Sequence, residues 1–194
     1  MKYLLIGFAA IMAVNSAIAQ TVYIASATKN QVLVYRQAST GLDGCGIRTV
    51  FMTDVPKGNN MGDMSVNVFK NQKGEYIGLT KMIYASIPNI NNLETVKSIP
   101  ISKYSMVNSA GKSLRFAPTF QAGEEKNSLN TQVSVEDAID FLFDLASQKT
   151  VQVGVVFKPE KTTRIFSLRA EKLEQAEAEI LSKCITQLMS DGNK

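Results

Sequence analysis

Cys45 and Cys184 are the only two cysteines of this 194-residue chain, and most of the sequence lies between them. A bond between them would draw the last segment back onto the start of the fold, so whether they pair constrains every other choice. The compartment decides this. Lys2 supplies a positive start, Tyr3 to Val14 form an apolar run, and Ala17-Ile18-Ala19 sets small residues two apart before Gln20. That is the pattern of a secretory leader over residues 1–19, with cleavage expected between Ala19 and Gln20. The run is too short to span about 30 Å of hydrocarbon, and no positive cluster follows it. Cysteines in an oxidising space usually pair, so a Cys45–Cys184 disulfide is expected. The rival reading, two free thiols with one reactive, has no histidine available to lower a thiol pKa.

Removal of the leader leaves residues 20–194 as a single globular domain, long enough to bury roughly 70 % of its unfolded surface. No second apolar run long enough for a membrane span follows. Lys2 is the one charged group lost, so the formal net charge of +4 becomes +3. The cations are scattered and not interleaved with aromatics, which argues against a nucleic-acid partner.

Thr21 to Ala25 and Gln31 to Gln37 read as a strand pair around Thr28-Lys29-Asn30. Gly41 to Gly46 holds three glycines in six positions and reads as a turn that needs positive φ near Cys45. Ile47 to Asp54 reads as a strand and Pro56 to Gly62 as a loop. Met64, Val66 and Val68 alternate with Ser65 and Asn67 before Asn71-Gln72-Lys73-Gly74, and Tyr76 to Ile87 resumes an apolar pattern, which marks a hairpin with one buried face. Pro88 to Thr95 is an asparagine-rich loop. Val96 to Val107 and Lys112 to Phe120 read as strands, and Gln121 to Asn130 as a polar loop able to carry a partner surface.

The last third has the clearest local patterns. Ser134-Val135-Glu136-Asp137 matches a capping box, and Ala138, Phe141, Leu142 and Leu145 recur at helical spacing, which predicts a helix over 135–147. Thr150 to Phe157 and Thr162 to Leu168 flank Lys158-Pro159-Glu160-Lys161 and read as a second hairpin. From 169 to 189 the chain is rich in helix formers without Gly or Pro, so a second helix is expected there. Its stripe of Leu173, Ala176, Ile180, Leu181, Cys184 and Leu188 would face a sheet, and Glu179 and Lys183 stand at i,i+4 spacing. The sum is an α+β domain, a mainly antiparallel sheet or sandwich with both helices packed on one face.

The absence of histidine removes Ser-His-Asp and Cys-His catalysis and the commonest ligand of zinc and copper sites. Ser-x-x-Lys occurs at Ser26-Lys29 and Ser109-Lys112, but neither opens a predicted helix and no Ser-Asp-Asn or Lys-Thr-Gly follows. Glu124-Glu125 and Glu136-Asp137 are the paired carboxylates that could cut a glycosidic bond, yet adjacent acids on a loop or in a cap are more often solvated or structural. The glycines of 41–46 lack the Lys-Ser/Thr of a phosphate loop. No catalytic residue, cofactor or metal is therefore assigned.

The succession of Val135 to Ala146, Val151 to Phe157 and Arg164 to Ile180, with Phe166-Ser167-Leu168 closing a strand before an alanine-containing helix, resembles the last part of invasion-associated-locus-B-type proteins, small exported proteobacterial envelope proteins. The resemblance implies a sandwich-like, non-enzymatic periplasmic or surface protein and carries over no catalytic residue. The leading expectation is a non-catalytic periplasmic or secreted protein that binds another protein, such as an envelope accessory factor or an inhibitor or immunity protein. The alternatives are a carboxylate-dependent envelope hydrolase served by Glu124 or Glu125, and binding of a small apolar ligand between sheet and helices.

Overall fold

The computed structural model describes residues 22–37, 41–55, 58–70, 73–89, 91 and 95–190. The leader and the Ala19–Gln20 junction lie outside the described residues. The ten strands among the described residues are β1 (Val22–Gln37), β2 (Gly41–Thr53), β3 (Asn60–Lys70), β4 (Tyr76–Ser86), β5 (Lys97–Ser98), β6 (Ile101–Val107), β7 (Gln121–Ala122), β8 (Leu129–Val133), β9 (Thr150–Phe157) and β10 (Thr163–Arg169). The helices are α1 (Val135–Ala146) and α2 (Gln175–Ser190). All strands belong to one sheet in the order β6-β9-β10-β1-β2-β3-β4-β8-β7, with β5 paired to β4. The β1–β10 pair is parallel and every other pair is antiparallel. The protein is thus α+β and dominated by its sheet.

The sheet curls until distant strands meet. Tyr84 of β4 and Phe157 of β9 stand far apart in strand order, yet their rings lie 4.8 Å apart, and Phe166 of β10 lies 5.9 Å from Tyr84 and 6.0 Å from Phe51. These fully buried aromatics fill the concave side, where their large apolar area is removed from water. The curl stops short of a closed barrel. Between β6 and β8 runs the segment 113–117, whose Leu114 N–H donates to Met106 and whose Ala117 N–H donates to Gln132. Residues 112–120 therefore do not form the expected strand. They bridge two edges through the isolated contacts Val107–Ser113 and Phe116–Val133.

Both helices sit on the concave face. Cys45, Val68 and Gly78 form one cross-strand row, so their side chains share a face. Cys184 of α2 bonds Cys45 at one end of that row, with α-carbons 5.9 Å apart. At the other end a Cβ built on Gly78 would come within 3.0 Å of the Ala138 Cβ of α1, so that glycine lets the helix approach β4. Ser134 caps α1 by accepting the Asp137 N–H at 3.1 Å. Only this half of the capping box forms, because the Asp137 carboxylate turns instead to Arg115 and Lys112.

Other expectations change as well. The proposed pair around Thr28-Lys29-Asn30 is a single strand, β1, with a bulge between Ala27 and Lys29. The glycines of 41–46 lie inside β2, and neither Gly44 nor Gly46 has positive φ. Their role is steric, since a Cβ on Gly46 would stand 2.0 Å from Asn67 Oδ1 and 2.6 Å from the Val66 carbonyl oxygen. The polar stretch 121–130 contributes β7 and the start of β8. The second helix begins at Gln175, not at 169. Leu181, Cys184 and Leu188 are buried as its stripe requires, while Ala176 and Ile180 are exposed.

Candidate functional site

Two features near β1 and one latch near α1 gather most of the chemistry. On the convex face a polar depression of about 190 Å³ is lined by Leu33, Tyr35, Arg48, Asp63, Ser65, Lys81 and Glu125. Strand alternation puts them there: Cys45, Ile47, Thr49 and Phe51 point inward from β2, so Arg48 points outward, opposite the outward residues of β3. Arg48 Nε donates to both Asp63 oxygens at 2.9 and 3.1 Å, and Nη2 to Oδ2 at 2.5 Å. This fork holds the guanidinium above its already high range. Lys81 pairs with Glu125 across the same depression. Burial raises the Tyr35 phenol despite nearby Arg48, so it stays neutral and donates to Asn67 Oδ1 at 3.3 Å.

Elsewhere along β1 lie apolar side chains that water still reaches. Val22 and Ile24, 47 % and 89 % exposed, project from the convex side of β1. Ile165 pairs beside Val22, and the half-buried Met52 and Met61 face each other across β2 and β3. Past the bulge Val34 points to the other face and is 37 % exposed. There it meets Ile180, 49 % exposed, in a groove shared with Arg36, Lys183, Cys184 and Gln187.

The latch uses two buried aspartates of α1. Asp137 Oδ2 accepts the Arg115 backbone N–H at 2.9 Å and Arg115 Nε at 2.8 Å, while Lys112 Nζ stands 2.8 Å from Oδ1. Hydrogen bonding from Arg115, opposed by burial and aided by Lys112, holds this carboxyl far below the usual range. At Asp144 burial pushes upward, but the Ser109 N–H at 2.7 Å and Lys149 Nζ at 3.0 Å prevail and lower it.

The sequence candidates are dispersed by the fold. Glu124 and Glu125 lie on the exposed turn before β8, where Glu125 serves Lys81. Glu136 is exposed and meets Arg115 Nη2 at 2.9 Å, whereas its neighbour Asp137 belongs to the latch. Lys112 is held by Asp137, so the Ser109-Lys112 pair has no free base, and Ser26-Lys29 lies in β1 across the bulge. Glu179 accepts from Gln175 Nε2 at 3.2 Å, not from Lys183. Among the described residues no three Cys, Asp or Glu side chains converge to hold a metal ion. Sequence reasoning missed Arg48, Asp63 and Lys81. Their signal is a charge at an outward position of each of three consecutive strands.

No family model, curated protein or solved structure matches this chain.

Proposed function

We propose that this is an exported, non-catalytic protein that binds another protein through the surfaces of β1. One observation carries this reading. Of the six large apolar side chains exposed among the described residues, Val22, Ile24 and Val34 lie on β1 and Ile180 lies beside Val34. Exposed apolar side chains are unremarkable when scattered, but these fall in two pairs along one strand, Val22 with Ile24 on the convex face and Val34 with Ile180 on the other, and each pair marks a candidate contact patch. The disulfide supports export, since such bonds persist outside the reducing cytoplasm, and no helix among the described residues is long and apolar enough to cross a membrane. The leader-like start supports cleavage between Ala19 and Gln20, and the resemblance to invasion-associated-locus-B-type proteins agrees with a non-enzymatic envelope role.

A photoreactive amino acid placed at Ile24, at Val34 and at the exposed control Lys172 tests the proposal in cells producing the chain at native level. Discrete adducts with one polypeptide are expected from 24 or 34 and not from 172. Absence of adducts from both β1 positions refutes it. The mass of the chain recovered from the envelope checks the cleavage point.

A further inference from the structure

Past Ser26, no strand among the described residues lies on the side of β1 away from β2, because β10 ends opposite it at Arg169. From Asn30 to Tyr35 the register with β2 is unbroken, so this stretch is regular extended chain. Every second N–H and C=O along it points away from the sheet. Among the described residues no backbone group bonds to that outer edge.

Beside the edge runs α2, and the two enclose a groove of about 170 Å³ lined by Val34, Arg36, Ile180, Lys183, Cys184 and Gln187. Val34 and Ile180 supply exposed apolar surface. Arg36 and Lys183 flank them, and Lys29 lies further along the strand. None of these three cations makes an ion pair with a described residue. The acids of α2 turn to local amides and form no ion pair with these cations: Glu177 accepts the Glu174 N–H at 3.3 Å, and Glu179 accepts from Gln175. The groove thus combines, among the described residues, unpaired backbone, an apolar floor and cations that form no ion pair. These are the three elements that strand addition by a charged peptide uses.

We propose that this edge receives an extended acidic segment of a partner protein as an added strand. An aliphatic side chain of that segment lies over Val34 and Ile180, and its carboxylates face Arg36 and Lys183. The proposal rests on the protein-binding reading and narrows it to one edge and one partner chemistry. A second copy of this chain is the poorer occupant, because its own edge brings the same cations to the interface.

The probe is the capped peptide Ac-TDVEVEVDT-NH2, titrated into the whole chain against its basic counterpart Ac-TKVKVKVKT-NH2. The acidic peptide alone should bind, with slowed amide exchange between Asn30 and Tyr35. The double variant Arg36→Glu/Lys183→Glu, with its circular dichroism unchanged, should weaken the acidic peptide about tenfold and admit the basic one. Equal binding of both peptides, or protection confined to other strands, overturns the proposal. So does edge protection without peptide that grows with protein concentration, which would identify a second copy. If the double variant still gives adducts at Ile24 while the acidic peptide never binds, the edge assignment fails and protein binding stands. Loss of adducts from the native chain removes both.

Discussion

Asp137→Asn tests how the bridging segment between β6 and β8 is held. The side chain is 2 % exposed and its oxygens take the Arg115 backbone N–H, two Arg115 side-chain nitrogens and Lys112 Nζ, all within 3.2 Å. Asparagine keeps the volume but loses the charge and turns an NH₂ toward donors. Arg115 and Lys112 are exposed enough to return to water, so their pairs count for little. The backbone N–H of Arg115 and the buried side of the carboxylate have no such exit. A charge-assisted bond of this kind is worth about 1.5–3 kcal/mol and a mismatched buried donor costs more, so about 3 kcal/mol is expected. For a domain of this size that lowers Tm by roughly 6–12 °C. The pH dependence follows from the depressed carboxyl. Its unfolded pKa is about 3.9, so the stability it supplies is complete above that value and drains away as pH falls toward the lower folded pKa. Thermal melts at pH 7, 5 and 3 should show the native chain losing more than the variant below about pH 4, with Asp144 contributing equally to both. Equal Tm at pH 7, or the same loss in acid for both proteins, would refute the latch.

Cys45→Ser with Cys184→Ser opens a loop of 139 positions, and the chain-entropy account assigns the crosslink about 5 kcal/mol; a urea midpoint unchanged by the double replacement would contradict it. Gly46→Ala places a methyl 2.6 Å from the Val66 carbonyl oxygen, which cannot swing aside as a side chain could, and should cost about 1–3 kcal/mol by denaturant titration. Asn30→Ala strips the Thr49 hydroxyl of its 2.6 Å acceptor and the Glu171 carbonyl of its 2.7 Å donor. It should cost about 2 kcal/mol and speed amide exchange in the 170–174 segment, and unaltered exchange there would remove that tie.

What could be read from the sequence was local. The β3–β4 and β9–β10 hairpins and α1 follow from alternation, a turn and a serine cap, all within a few residues of one another. What could not be read was set across the sheet. Thr28-Lys29-Asn30 looks like a turn because it is polar, yet Asn30 is buried against partners 19 and 141 positions away. The glycines near Cys45 look like a turn because nothing local reveals that Asn67 and Phe69 lie across them. Strand β8 escapes notice because its inward positions include Thr131, a polar residue buried beside Thr80. The convex charges belong to the same class: Arg48 and Asp63 become a pair only through strand register.

The delayed start of α2 and the open edge of β1 share one cause. Residues 169–174 have helical composition, and on propensity alone the helix would begin at Arg169. The chain instead buries Ala170 and Leu173 and gives the Glu171 carbonyl to the Asn30 amide, so it passes from the end of β10 onto the concave face at that point. This crossing ends β10 opposite Ser26 and removes the one strand that would have continued along β1. It also delivers α2 to Cys45, where the disulfide fixes the helix beside the strand it left unpaired. An uncovered edge invites aggregation unless it is charged or occupied. Lys29 and Arg36 supply the charge, and they favour a chain of opposite sign at this edge.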